Sequence, residues 1–110
     1  MILKGSCHCG KVAFEADGEL AGAVACNCSI CARKGALLWA VDDDKFRLLD
    51  PLAEMGSYLF NKHEIRHRFC RHCGIHTHAE GDGWTAVNIR CLTGFDLATV
   101  AVMDFDGRSA

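Results

Sequence analysis

Seven of the eight cysteines in this 110-residue chain fall into three clusters: Cys7-His8-Cys9, Cys26-Asn27-Cys28-Ser29-Ile30-Cys31 and Cys70-Arg71-His72-Cys73. Buried cysteines that serve as small hydrophobes occur singly on apolar faces, so packing does not account for this spacing. Clustered cysteines at ligand spacing are a metal signature, above all for zinc. Residues i and i+2 of an extended segment point the same way, which lets Cys7 and Cys9 grip one ion from one strand. A Cys-x-x-Cys turn does the same from a tight knuckle. Gly74 follows that knuckle and supplies the open backbone that brings main-chain N–H groups to the thiolates.

The ligand count separates two kinds of site. Structural zinc takes four protein ligands, while catalytic zinc usually takes three and keeps an open position. Two pairs and one triplet divide into a closed set, Cys7, Cys9, Cys70 and Cys73, and a three-ligand set, Cys26, Cys28 and Cys31. Spacing alone also permits a partition in which Cys26 and Cys28 close the first site and Cys31 is free.

Other residues compete for chemical roles. His63-Glu64-Ile65-Arg66-His67 matches the zinc-protease pattern H-E-x-x-H, which works only on a helix. Its flanks alternate with a period of two, Ile65, His67 and Phe69 against Glu64, Arg66 and Arg68, so a strand is expected. His67 is then a candidate support for a metal ligand. Cys91, the eighth cysteine, sits on an apolar face and reads as a core thiol. His8, His72, His76 and His78 lie in or near the clusters, with His8 and His72 read as spacers. Arg33 and Lys34 follow Cys31. They are either solvated loop charges or the cations that draw an anionic substrate to the three-cysteine site.

The elements that must position these residues are short and mostly β. Val12, Phe14 and Ala16 alternate with polar neighbours over 11–17, a half-buried strand. Asp17-Gly18 signals a hairpin, with 19–25 returning to the triplet. Residues 29–35 read as a loop or a single helical turn, 36–41 as an apolar strand carrying Trp39, and Asp42-Asp43-Asp44 as a solvated acidic turn. Residues 45–50 form a short strand, and 56–61 with 64–70 a hairpin leading into the Cys-x-x-Cys knuckle. After a turn at Gly81-Asp82-Gly83, residues 85–92 alternate with Val87, Ile89 and Cys91 on one face. Residues 97–105 are a last β-branched run. The expected architecture is one mostly-β domain spanning 1–110, pinned by metal.

Composition bounds the remaining possibilities. Half the residues are apolar and one is proline, which fits a folded domain rather than a disordered chain. No apolar run approaches the roughly 20 residues of a membrane span. Met1-Ile2-Leu3-Lys4 is too short for a signal peptide, so a cytoplasmic protein is expected, where clustered cysteines bind metal rather than pair as disulfides. The formal charge is −2, and seven metal-bound thiolates make it more negative. That argues against a nucleic-acid partner, which selects for a basic face.

Gly5-Ser6-Cys7-His8-Cys9-Gly10, Cys26-Asn27-Cys28-Ser29-Ile30-Cys31 and Phe69-Cys70-Arg71-His72-Cys73-Gly74 resemble the glutathione-dependent formaldehyde-activating enzymes, a family that shares its domain with centromere protein V. Tyr58-Leu59-Phe60-Asn61, Val87-Asn88-Ile89-Arg90-Cys91-Leu92 and Phe105-Asp106-Gly107 look like the family as well. The resemblance covers nearly the whole chain. It implies several small coiled β-sheets pinned by zinc, similar to the Mss4-like proteins. It also implies a structural zinc on Cys7, Cys9, Cys70 and Cys73 and a catalytic zinc on Cys26, Cys28 and Cys31. The implied activity is that of a carbon–sulfur lyase running in reverse, joining glutathione to formaldehyde as S-hydroxymethylglutathione. The family's founding enzyme is longer, and Ser29-Ile30-Cys31 and His72-Cys73-Gly74-Ile75 look at least as much like the centromere-protein branch.

A three-thiolate zinc suits this chemistry because a coordinated thiol is deprotonated outright. Ionising a thiol of pKa ~8.5 at neutral pH raises nucleophile concentration by roughly one to two orders of magnitude, less some intrinsic nucleophilicity. With one ligand fewer, the second zinc is expected to bind more weakly and to be partly occupied in some preparations. The competing expectation is a non-enzymatic zinc-binding interaction module, in which a fourth protein ligand closes the triplet. A redox role for Cys70-Arg71-His72-Cys73 is disfavoured, since no helical pattern follows Cys73 to lower a thiol pKa.

Overall fold

The computed structural model describes residues 1–59 and 64–109. The described residues form ten strands, one short helix and three single 3-10 turns. The strands are β1 (Ile2–Ser6), β2 (Ala13–Asp17), β3 (Gly22–Cys26), β4 (Leu38–Asp42), β5 (Phe46–Leu48), β6 (Met55–Tyr58), β7 (Arg66–Cys70), β8 (His76–Glu80), β9 (Trp84–Asn88) and β10 (Ala101–Phe105). Helix α1 is Ser29–Lys34. A three-stranded sheet runs β1-β2-β5 and a seven-stranded sheet runs β10-β3-β4-β9-β8-β7-β6. All pairings are antiparallel except β10 on β3, which is parallel with Phe105 opposite Cys26. The mainly β expectation therefore holds.

Alternation builds the core. Leu3, Phe14 and Ala16 point inward from the small sheet and meet Ala23, Trp39, Val41 and Val87 from the large one, with Ile89 from the turn after β9. This packing corrects the hairpin expected at Asp17-Gly18. β2 pairs with β1 and β5, whereas β3 pairs with β4 and β10. The two strands bury their apolar residues against each other across the core instead of pairing edge to edge. Glycine suits position 18, where φ is 154° and a Cβ would crowd the Trp39 ring at 3.1 Å.

One other expected strand ends early, and one observed strand was not expected. The alternation over 85–92 ends at Asn88, whose side chain accepts the Arg90 N–H at 3.2 Å and starts a 3-10 turn over Ile89–Cys91. The expected hairpin of 56–61 with 64–70 forms as β6 on β7, with residues 60–63 outside the described part. β8 was not expected, because its buried residues include Thr77 and His78 and show no apolar alternation. The acidic segment at 42–44 is exposed: Asp42 ends β4, and Asp43 and Asp44 open a 3-10 turn in which Asp43 accepts the Thr85 hydroxyl at 2.9 Å. No helix among the described residues is long and apolar enough to cross a membrane.

Candidate metal centres and the adjoining cavity

Two glycine-bearing knuckles build the first centre. After β1 the chain turns at Cys7-His8-Cys9-Gly10, where the Cys7 N–H donates to Val12 O at 2.9 Å and Gly10 takes φ 82°. After β7 it turns at Cys70–Gly74, where the Gly74 N–H donates to Cys70 O at 2.8 Å and φ is again 82°. These left-handed positions suit glycine, and a side chain there would be strained. The knuckles meet so that the sulfurs of Cys7, Cys9, Cys70 and Cys73 all lie within 4.8 Å of one another. Cys7 Sγ is 3.5 Å from Cys9 Sγ, which is 3.7 Å from Cys70 Sγ. A tetrahedron with metal–sulfur bonds of about 2.3 Å has edges of about 3.8 Å, so the donor set fits such an ion.

Main-chain donors favour the ionised sulfurs. Cys70 Sγ accepts N–H groups from His72 at 3.3 Å and Cys73 at 3.4 Å, and Cys7 Sγ accepts the Val12 N–H at 3.4 Å. The Cys73 N–H, followed by that of His72, holds the Cys70 thiol below its ordinary range despite desolvation. Hydrogen bonds from the Ile75 and Cys9 main chain bring the Cys73 thiol down to about 6. Cys7 and Cys70 are buried with Val12 in a small apolar cluster, so the centre doubles as a core.

The second centre lies where β3 ends. Cys26 closes the strand, Cys28 caps α1, and Cys31 is buried inside that helix. Their sulfurs also lie within 4.8 Å of one another. Among the described residues no fourth His, Cys, Asp or Glu joins them. The Cys28 N–H donates to Cys26 Sγ at 3.4 Å. Burial, then Cys28 and the negative charge of Cys26 and Cys28, push the Cys31 thiol up to about 12, with Lys34 opposing. Three crowded sulfurs ionise together when a cation sits among them, so this donor set also suits a metal.

A contribution that spacing did not reveal comes from the chain's end. The Asn27 N–H donates to Phe105 O at 3.1 Å, its side-chain amide donates to Asp106 Oδ1 at 3.0 Å, and its carbonyl oxygen accepts the Arg108 N–H at 2.9 Å. The spacer of Cys26-Asn27-Cys28 is thereby clamped to the segment after β10. A Cβ on Gly107 would stand 2.5 Å from Cys26 Sγ, so glycine makes room for the sulfur. The only available signal was the family-like Phe105-Asp106-Gly107, which gave no role.

The two cations after Cys31 part company. Arg33 is exposed and donates back to Ser29 O at 2.8 Å, on its own helix. Lys34 turns inward and donates to His67 Nδ1 at 3.0 Å and His76 Nε2 at 3.2 Å. Burial lowers its pKa, while the charges of Cys31, Cys28 and Cys26 oppose that shift. Burial and the Lys34 charge bring His67 down to about 4 and His76 to about 3. With Lys34 as donor both rings are neutral and accept on the bonded nitrogen, so His67 carries its proton on Nε2 and His76 donates from Nδ1 to Arg68 O, 3.0 Å away.

The zinc-protease pattern is not helical, since Arg66–Cys70 is strand β7 and Glu64 precedes it on exposed backbone. His63 lies outside the described residues. Cys91 belongs to neither sulfur group; it packs against the core, and burial raises its thiol to about 11. His78 is fully buried, its ring tilted against that of Phe46 with centroids 4.6 Å apart, and its Nδ1 pairs with the Thr77 hydroxyl at 2.8 Å.

Beside the triplet opens a cavity of about 430 Å³. Cys26, Cys28 and Cys31 form one side of it, and Val24, Ile30, Leu38, Trp84, Ala86 and Phe105 supply apolar walls. Glu64 and His67 are polar groups on its lining.

A mainly β fold that gathers one four-sulfur set and sets a three-sulfur set beside a cavity defines a cysteine-cluster protein with two donor sets that could each hold a metal ion. The family model for glutathione-dependent formaldehyde-activating enzyme matches residues 2–100. The chain belongs to that family. It is also similar to a Rhodobacter sphaeroides protein of known crystal structure, at 31% identity and TM-score 0.80, over 91% of this chain and 99% of that one.

Proposed function

We propose that residues 1–110 form one zinc-dependent, carbon–sulfur lyase-type enzyme domain that joins a thiol, glutathione foremost, to formaldehyde or a related aldehyde. The observation that carries this reading is the contrast between the centres: four sulfurs gather at one, and three face a cavity at the other. Cys7, Cys9, Cys70 and Cys73 hold a structural zinc, and Cys26, Cys28 and Cys31 a catalytic one. Zinc bound at the triplet would supply the charge that keeps a substrate thiol ionised; three thiolate donors weaken its Lewis acidity toward a carbonyl.

The chain's own residues do the rest. The clamp on Asn27 fixes Cys26 and Cys28 relative to each other. Of the two cations expected near the substrate, Lys34 takes the electrostatic role, offsetting thiolate charge at the triplet, while Arg33 folds back onto the Ser29 carbonyl of its own helix. Lys34 also fixes the tautomer of His67, a cavity residue. Cavity walls bring the aldehyde carbon to the thiol, the proximity on which addition depends. In the net reaction a C–S bond forms, the carbonyl π bond breaks, and the proton released by the thiol ends on the new hydroxyl. A reduced, cytoplasmic setting keeps seven such thiols available.

The test titrates glutathione into zinc-loaded wild type and Cys28→Ser, with formation of the hemithioacetal followed for formaldehyde and other aldehydes. Wild type should bind the thiol and accelerate addition, and Cys28→Ser should lose both while staying folded. A wild-type protein holding two fully ligated zincs that binds no thiol and accelerates no addition overturns the proposal in favour of a zinc interaction module.

A further inference from the structure

The cavity beside the triplet is larger and more apolar than formaldehyde requires. A water molecule's share of liquid volume is about 30 Å³, and formaldehyde, with one carbon and one oxygen, is not much bigger. A cavity of about 430 Å³ lies in the range of sites that enclose whole organic ligands. Formaldehyde would leave most of it to water against the side chains of Val24, Leu38, Trp84, Ala86 and Phe105. That arrangement wastes the apolar wall, since each buried methylene is worth roughly fourfold in binding.

The charges on the lining point the same way. Among the described residues the wall carries a carboxylate, Glu64, and no lysine or arginine. Lys34 is engaged with His67 and His76, and Arg33 with Ser29 O. No cationic side chain among the described residues of the wall pairs with a carboxylate, so glutathione's two acid groups belong outside the cavity, with only its sulfur reaching the triplet. The apolar volume is then left for the other reactant.

We infer that the carbonyl substrate is a neutral aldehyde with an apolar body the size of a ring or a medium alkyl chain, seated between Trp84, Ala86, Leu38 and Phe105. The inference rests on the thiol–aldehyde reading above. The step balances as before: the thiol sulfur bonds to the aldehyde carbon, the π electrons go to oxygen, and the thiol's proton completes the hydroxyl.

The experiment uses zinc-loaded protein with glutathione and compares formaldehyde, acetaldehyde, hexanal and phenylacetaldehyde, each rate divided by its uncatalysed rate. Acceleration for hexanal and phenylacetaldehyde should exceed that for formaldehyde at least tenfold. Benzyl alcohol, which has the ring and no carbonyl, should bind without reacting and change Trp84 fluorescence. Ala86→Leu, which fills the cavity, should weaken benzyl alcohol binding at least fivefold and lower the phenylacetaldehyde-to-formaldehyde ratio at least tenfold. Ile65→Asp, a charge on an exposed lining residue that the fold tolerates, should move both readouts the same way. Acceleration of formaldehyde equal to that of the larger aldehydes, with no binding of benzyl alcohol, overturns the inference and leaves the thiol–aldehyde reading standing. Faster reaction of benzyl mercaptan with formaldehyde than of glutathione with phenylacetaldehyde assigns the apolar body to the thiol and also overturns it. Binding of benzyl alcohol with no aldehyde accelerated overturns the thiol–aldehyde reading and the inference with it.

Discussion

Replacing Cys70 with serine should unfold the protein, while replacing Cys28 should not. Cys70 Sγ is fully buried, accepts two main-chain N–H groups, and lies 3.7 Å from Cys9 Sγ across a gap of 61 residues. The four-sulfur centre is therefore the link between the first knuckle and the one after β7. A structural zinc contributes on the order of 10 kcal/mol to a small domain, and a 110-residue chain has a net stability of only about 5–15 kcal/mol. Losing even half of the metal's contribution removes a large part of the total. A serine hydroxyl is also a poor replacement for a thiolate ligand and leaves three sulfurs around the ion. Circular dichroism with temperature and zinc content by mass spectrometry should show Cys70→Ser largely unfolded or aggregated with little bound zinc. Cys28→Ser should melt within a few degrees of wild type and hold one zinc, since about 1 kcal/mol shifts the melting point of a domain this size by roughly 3–8 °C. A Cys70→Ser protein that melts with wild type and keeps two zincs would refute the assignment of the closed centre.

Three further outcomes follow from named contacts. Gly107→Val places a side chain against Cys26 Sγ and Cys28 Cβ; the triplet should lose its metal while the melting temperature stays close to wild type, measured by zinc stoichiometry. Lys34→Met removes the donor shared by His67 and His76 and should cost about 1–3 kcal/mol in urea unfolding, with both imidazole pKa values rising in NMR titrations because a neighbouring cation is gone. His78 titrates at about 4 when folded, chiefly because burial disfavours its charged form. Its contribution is fully present above the unfolded value of about 6.5 and is lost as pH falls from there through about 4. In His78→Phe, which keeps an aromatic ring against Phe46, the loss of stability below pH 6.5 should be shallower by up to about 1.4 kcal/mol per pH unit.

The metal-ligand pattern was the most legible part of the sequence, because sulfur spacing is a local property. Cys7, Cys9, Cys70 and Cys73 come together as the count suggested, and Cys26, Cys28 and Cys31 form a separate group. The strands with apolar alternation, such as β2 around Phe14, were legible for the same reason. β8 was not, since Thr77 and His78 are buried through hydrogen bonding and a tilted ring contact rather than through apolar character. The pairing of β2 was hidden too: Asp17-Gly18 marks a change of direction, and only the packing of Phe14 and Ala16 against Ala23 decides that the chain changes sheets. The inward turn of Lys34 and the clamp on Asn27 depend on β7, β8 and the chain's end, all distant in sequence. No local rule distinguishes Lys34 from its neighbour Arg33.

The central claim is that a closed centre and a thiol-accepting centre coexist. Zinc-edge X-ray absorption of the two-zinc protein, without and with glutathione, tests it most directly. Seven cysteine sulfurs shared between two ions give an average of about 3.5 sulfurs per zinc, with lighter atoms completing the shell. Adding glutathione should raise the average to about four as the thiol enters the triplet centre, and Cys28→Ser should show no such rise. Four sulfurs per zinc before any thiol is added, or an average that glutathione leaves unchanged, would contradict the account.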